Sequence, residues 1–274
     1  MTISSATKDE VSSSCDLSPG ESRYQSVCPR KADGVHYTPV DLAEFVAKEM
    51  LSRIRVCVGK SFRILDPAIG DGGLLVALIN QLYKTGYRSI EAHGFDTSSE
   101  AIAAAQCRLK KEFPGVGLHL QQGDFLEHVT KHFDDTDRAQ KDLFVLDRPN
   151  SELFDIVIAN PPYVRTQVMG ARVAQNLSQR FGLSGRVDLY YAFIRAIAIT
   201  MCPGGVLGII VSNRFMTTRS GASIRSEIRK RFDICHIWDL GDTKVFEAAV
   251  LPAVLVLRKK HIGDIHAESQ FTSV

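Results

Sequence analysis

Arg63-Ile64-Leu65-Asp66-Pro67-Ala68-Ile69-Gly70-Asp71-Gly72-Gly73, continuing into the apolar run Leu74 to Tyr83, decides the fold. A short buried strand ends on an aspartate, turns through glycines and enters a helix, which is the opening unit of an α/β sheet. Glycines at such a turn let the backbone bend sharply and approach a ligand closely, in the crevice outside the strand's carboxyl end. A nucleotide phosphate is one occupant of such loops. Two details disfavour it: no Lys-Ser or Lys-Thr follows, as a phosphate loop requires, and Asp66 and Asp71 would repel an anion.

Outward from this stretch, strands and helices alternate. Ile90 to Phe95 reads as a strand, Ser99 to Lys111 as a helix, and Leu118 to Leu120 as a weak strand ending at Gly123-Asp124. A polar stretch from about 128 to 151, with His128, Asp134, Asp135 and Asp137, reads as a surface excursion. The strand Phe154 to Ala159, the helix Leu189 to Met201, the strand Val206 to Val211 and a basic helix Ile224 to Arg231 follow. Two last strands, Ile234 to Leu240 and Ala253 to Leu257, are separated only by the turn at Gly241-Asp242. Near-continuous apolar strands between helices predict a parallel sheet covered on both faces. The short final connection predicts an antiparallel last strand. The expected fold class is therefore a Rossmann-like α/β domain of about seven mostly parallel strands with helices on both faces.

Residues 1–33 are rich in Ser, Thr, Asp, Pro and Gly and are expected to be a largely disordered lead-in. The domain is expected over 34–260, with a tail over 261–274. At 274 residues, 45% hydrophobic and 23% charged, the chain fits one large soluble domain rather than a membrane or low-complexity protein. A net charge of +2 neither announces nor excludes nucleic acid, but residues 214–231 place Arg214, Arg219, Arg225, Arg229, Lys230 and Arg231 against only Glu227. This run is either a solvated helix face or a phosphate-binding surface. The six cysteines form no C-x-x-C pair, so neither a disulfide framework nor a zinc site is indicated. His128 and His132, four apart, read as part of the polar excursion and not as metal ligands. The absence of a long apolar run and of a signal-peptide core makes a cytoplasmic location the expectation.

The acidic glycine loop suits a cationic sulfonium with an amino group, which makes S-adenosylmethionine the expected cofactor. Asp96 ends the second strand, where a carboxylate can accept both hydroxyls of an adenosine ribose or, alternatively, cap the helix near Ser99. Asp124 ends the third strand, placed to accept from an adenine amine while Phe125 packs on the ring. Asn160-Pro161-Pro162-Tyr163 follows the strand ending at Ala159 and points to the chemistry. An exocyclic aromatic amine is a weak nucleophile because its lone pair is delocalised. Two acceptors aimed at its hydrogens, the Asn160 side-chain oxygen and the Pro161 carbonyl, would draw the nitrogen toward tetrahedral geometry. Pro161 and Pro162 fix that backbone in advance. Tyr163 offers a face for a base swung out of a helix.

With these residues in place, the chain resembles the adenine-N6 DNA methyltransferases, the amino-methyltransferases whose cofactor motifs precede an Asn-Pro-Pro-Tyr loop. The resemblance runs over about 34–260. It also rests on His36-Tyr37-Thr38-Pro39, Asp188-Leu189-Tyr190, Pro203-Gly204-Gly205, Ser212-Asn213-Arg214-Phe215 and Lys244-Val245-Phe246-Glu247. It implies that Tyr37 and Thr38 close over the methionine part of the cofactor, which also contacts Asp66, Ala68, Gly70 and Gly72. It further implies that Phe246 stacks on the target adenine opposite Tyr163, and that the partner is DNA with its base flipped into the site. The chain departs from the family at Ile69, where a small residue or cysteine is usual, and at Asp71, where Ser or Thr is usual. No target-recognition domain is legible after Lys260, so the expectation is either a catalytic fragment or a site chosen by another chain or a detached domain. Related enzymes that methylate RNA bases or the glutamine of release factors share the catalytic loop, and an inactive cofactor-binding remnant is a third reading.

Overall fold

A computed structural model describes residues 38–54, 61–133, 152–164, 188–241, 251–261 and 269–273, together with five positions between 175 and 181. Tyr37, Phe246 and the lead-in expected over 1–33 lie outside the described residues. Among those described, the chain runs α1 (Val40–Leu51), β1 (Phe62–Asp66), α2 (Gly73–Lys84), β2 (Ile90–Asp96), α3 (Ser99–Glu112), β3 (Gly117–Gln122), α4 (Phe125–Phe133) and β4 (Phe154–Ala159). It continues through α5 (Tyr190–Thr200), β5 (Met201–Ser212), α6 (Arg214–Thr217), a 3-10 turn (Arg219–Gly221), α7 (Ala222–Arg231), β6 (Phe232–Asp239), β7 (Pro252–Lys259) and β8 (Gln270–Ser273).

The strands form one eight-stranded sheet in the order β3-β2-β1-β4-β5-β7-β6-β8. Strands β3, β2, β1, β4 and β5 pair in parallel, whereas β7 runs antiparallel to both β5 and β6. The expected antiparallel closing strand is therefore β7. The expected tail contains one further element, β8, a four-residue edge strand parallel to β6. Its residues are all exposed, which is why no apolar signal marks it.

Each face of the sheet carries its own core. On one side α1, α2 and α3 cover Ile64, Ala92, Ile156, Ile158 and Val254; on the other α4, α5 and α7 cover Leu65, Phe95, Val157, Leu207 and Leu255. The alternation of neighbours such as Ile64 and Leu65 between the two cores is the two-residue period of a strand buried on both sides. Helix α1 has no counterpart among the sequence expectations. It forms because Leu42, Ala43, Val46, Ala47 and Met50 fall on one stripe, and all five are buried.

The polar excursion expected from 128 begins later than its composition suggests. Residues 125–133 are the helix α4, with Phe125, Leu126 and Val129 buried. His128 packs on Phe95 at 4.7 Å between ring centroids and stacks on His132 at 4.2 Å. The spacing Phe125, Leu126, Val129 and Phe133 is the helical signal that the polar residues obscure.

Candidate active site

In the order β2-β1-β4-β5 the chain winds outward from β1 to β3 on one side and from β4 onward on the other, so β1 and β4 flank the topological switch point. Ligands of open α/β sheets bind in the crevice outside that point. Leu65 is in register with Val157. Asp66 therefore ends β1 beside the end of β4, and Asn160 follows Ala159 out of the same edge. The glycine loop and the Asn-Pro-Pro-Tyr loop, about 90 residues apart in the chain, meet at one crevice.

The loop after β1 is held by two hydrogen bonds to the end of β2. The Ile69 N–H donates to the Phe95 carbonyl at 2.8 Å, and the Gly70 N–H donates to Asp96 Oδ2 at 3.0 Å. Gly70 (φ 53°) and Gly72 (φ 82°) occupy the left-handed region, which side chains disfavour. Ile69, a departure from the family pattern, is buried and seated over Gly94, where an added Cβ would come within 2.5 Å of Ile69 Cδ1. Glycine at 94 makes the room for the larger side chain.

The three strand-end aspartates behave differently. Asp66 is fully buried; its Oδ1 accepts from the Ala68 N–H at 3.1 Å, and its Oδ2 has no partner among the described residues. Burial, with Asp96 and Asp71 nearby, raises its pKa to about 8. Asp96 does not cap α3. That role belongs to Ser98, whose hydroxyl oxygen accepts from the Ala101 N–H at 3.2 Å, while Asp96 Oδ1 accepts from the Ser98 N–H at 2.9 Å. Each Asp96 oxygen thus keeps acceptor capacity beyond one backbone bond. Asp124 is exposed and caps α4, its Oδ1 accepting from the Leu126 N–H at 2.8 Å. Phe125 is buried with its ring 5.5 Å from Phe95 and 6.0 Å from Phe193. Ala68 is half-buried against the same core.

Asp71 has a partner that motif reading misses. Arg108, on α3, pairs with Asp71 Oδ2 at 3.1 Å, and Asp71 Oδ1 accepts from the Gly73 N–H at 3.0 Å. The extra carboxylate at this departure from the family pattern is thereby matched by a cation 37 residues downstream. The spacing is visible in the sequence, but only the packing of α3 on the loop makes it meaningful.

At the Asn-Pro-Pro-Tyr loop the Asn160 side chain is gripped at both ends. Its Nδ2 donates to Thr38 Oγ1 at 3.0 Å, and its Oδ1 accepts from the Tyr163 hydroxyl at 2.6 Å. Burial pushes the Tyr163 hydroxyl above its ordinary pKa, so it stays protonated and can donate. Thr38 and Asn160, 122 residues apart, are thus brought into contact, joining the segment before α1 to the catalytic loop.

A cavity of about 710 Å³ opens on the α4 side of the sheet, lined by β2, β3 and α4 and by Arg63 and Phe154 near the starts of β1 and β4. There Glu91, His93 and His119 bring their ligand-type atoms within 4.8 Å of one another. Arg63 lies among them, 3.4 Å from the Glu91 carboxylate and 3.5 Å from His93 Nε2. A guanidinium in that place opposes a second cation, and we assign the cluster no ligand.

The fold is that of the class I S-adenosylmethionine-dependent methyltransferases. Among solved structures, a class I S-adenosylmethionine-dependent methyltransferase from Listeria monocytogenes superposes with a TM-score of 0.65 at 22% identity, over 86% of this chain and 65% of its own. The family model of the Eco57I restriction-modification methylase matches residues 76–246. Type II methyltransferase M.BanIII of Aneurinibacillus aneurinilyticus is 41% identical over 237 residues, which is 84% of this chain and 39% of that protein. Type II methyltransferase M.BstVI of Geobacillus stearothermophilus is 30% identical over 78% of this chain and 40% of its own length. The chain belongs to the Eco57I restriction-modification methylase family, and it spans about two-fifths of the length of these relatives. The cofactor that goes with this fold and family is S-adenosylmethionine.

The residues present fit a sulfonium. The crevice offers a buried, unpartnered carboxylate oxygen at Asp66 and a glycine backbone free of side chains. Because folding raises the Asp66 pKa, the protonated carboxyl favours the fold. Its contribution is present below the ordinary carboxylate pKa and is lost as pH rises toward about 8. In thermal denaturation without cofactor, the melting temperature of Asp66→Asn relative to wild type should therefore move in the variant's favour by about 4 °C or more between pH 5.5 and 8.5. A constant difference across that range would contradict the buried carboxyl described.

Proposed function

We propose that this domain transfers the methyl group of S-adenosylmethionine to the exocyclic N6 amine of adenine in DNA, as the catalytic part of a modification methyltransferase. The observation that carries the reading is the meeting of Asn160 with the Asp66 loop at the switch point between β1 and β4. The named relatives, both Type II methyltransferases, support DNA as substrate.

Bound in the crevice, the cofactor supplies an electrophilic methyl group on a sulfonium. Asp66, whose raised pKa a bound cation would lower, would ionise to give it a counter-charge, while Asp96 accepts from the ribose hydroxyls and Asp124 from the adenine amine. Ala68, Gly70, Gly72 and Thr38 line its approach, and Tyr37 takes the role that the family resemblance gives it, whereas Phe125 is turned into the core against Phe95 and Phe193. A target amine entering the site takes the place of the Tyr163 hydroxyl at Asn160 Oδ1. Its second hydrogen bonds the Pro161 carbonyl, in a backbone that Pro162 keeps from relaxing. Thr38 holds the amide so that its oxygen faces the amine. With both hydrogens bound, the nitrogen lone pair would be freed to take the methyl group that the cofactor would supply, and the amine proton would leave afterwards to solvent. The ring of Tyr163, released from Asn160, stacks on the flipped base together with Phe246, at about 1–3 kcal/mol per stacked base.

A methylase that reads sequence contacts base edges in the grooves. We assign that task to a recognition domain or subunit distinct from this sheet. The test is incubation with methyl-labelled cofactor and duplex DNA, RNA or a release factor. Label is expected in DNA, and label confined to RNA or protein would refute the assignment.

A further inference from the structure

We infer that Arg214 and Arg219 form a phosphate-binding ledge for duplex DNA beside the catalytic loop, and that the rest of the basic run 214–231 takes no part in it. The inference deepens the proposed function and rests on DNA being the substrate.

The run looks continuous in sequence, but the fold divides it. Strand β5 lies beside β4 with Ile209 level with Ala159, and it continues three residues past that level to Ser212. Asn213 and α6 therefore stand at the catalytic edge, next to the Asn160 loop. Helix α7 then carries the chain away from that edge. Phe232, which follows Arg231, pairs with Lys259 at the end of β7, whereas Ser212 pairs with Pro252 at its start. Arg229, Lys230 and Arg231 consequently lie at the opposite edge, about 15 Å along α7. There Lys260 Nζ donates to the Arg229 carbonyl at 2.6 Å.

The cations also differ in how they are used. Arg231 pairs with Glu227 at 3.0 Å, and Arg195 approaches the same carboxylate at 3.6 Å. Arg225 Nη1 donates to the Phe215 carbonyl at 2.5 Å and to the Thr218 carbonyl at 3.0 Å, so it serves as an internal brace. Arg214 and Arg219 are exposed, and among the described residues neither has an acidic partner.

The turn that presents them is built to stay in place. Asn213 Nδ2 donates to Asp239 Oδ1 at 2.9 Å, the Asn213 N–H donates to the Leu251 carbonyl at 2.8 Å, and the Thr218 hydroxyl donates to the Arg214 carbonyl at 2.7 Å. Gly221 abuts Phe215 so closely that a Cβ there would meet the Phe215 carbonyl at 2.1 Å. Two exposed guanidiniums on a braced turn, without an acidic partner among the described residues and beside the place where a flipped base must enter, suit the phosphates flanking that base. Arginine's fork favours bidentate phosphate contact.

The test is fluorescence anisotropy of a labelled 30-base-pair duplex, titrated with the full chain over a range of salt concentrations. Relative to wild type, the double variant Arg214→Glu/Arg219→Glu should bind at least about tenfold more weakly at low salt, with a slope of log K against log salt shallower by about two. Arg229→Glu/Lys230→Glu should stay within about twofold of wild type in affinity, with the slope unchanged. Equal losses in the two variants, a loss only in the second, or no duplex binding by wild type would overturn the inference. If the labelled-methyl assay still marks DNA in any of those cases, the proposed function stands and only the ledge fails. Wild type that binds duplex but labels only RNA or protein would reject the function itself.

Discussion

Replacing Asn160 with alanine is expected to lower kcat by about a hundred- to a thousandfold, the scale seen when one preorganised polar contact to a reacting group is removed. Cofactor affinity measured by calorimetry should change by less than about threefold, because among the described residues the side chain of Asn160 is hydrogen-bonded to Thr38 and Tyr163 and not to the glycine loop. The split matters more than the size. Alanine removes the acceptor that draws the target amine toward tetrahedral geometry, an interaction that strengthens only as the lone pair is freed. A tenfold or greater loss of cofactor binding in this variant would contradict the role assigned to Asn160.

Asp96→Ala should show the reverse pattern. Two charge-assisted hydrogen bonds to the ribose are lost, each about 1.5–3 kcal/mol, so cofactor affinity should fall by about a hundredfold or more. The Gly70 and Ser98 N–H groups also lose their acceptor, which loosens the loop. At saturating cofactor, kcat should recover to within about tenfold of wild type. Asp96→Asn, which keeps one acceptor, should fall between the two. Unchanged cofactor affinity in Asp96→Ala would remove the ribose assignment.

Features set by short-range pattern are legible in the chain itself. The strand Phe154–Ala159 shows as a run of apolar and β-branched residues ahead of a proline pair, and the patterns of β1, α2, β2 and α3 reach to within about two residues of their observed ends. The parallel core and the antiparallel β7 follow from the length of the connections. What stays hidden depends on distant partners. The pairing of Asp71 with Arg108 needs α3 to lie against the loop, and the contact of Thr38 with Asn160 crosses 122 residues. His128 reads as polar surface because histidine and acidic neighbours outweigh the apolar spacing of α4, and only packing on Phe95 shows its inner face. The basic run misleads in the opposite sense. Its composition is uniform, but α7 spans the sheet and sends its two ends to different edges.

The central claim is the identity of the atom that receives the methyl group. Duplex DNA incubated with this chain, together with its recognition domain or subunit, and with isotopically labelled S-adenosylmethionine can be digested to nucleosides and analysed by mass spectrometry. Label is expected in N6-methyldeoxyadenosine, at an initial rate about a hundred- to a thousandfold lower when Asn160→Ala replaces the wild-type chain. Label in a methylated cytosine, or labelled N6-methyldeoxyadenosine at the wild-type level with Asn160→Ala, would contradict that claim.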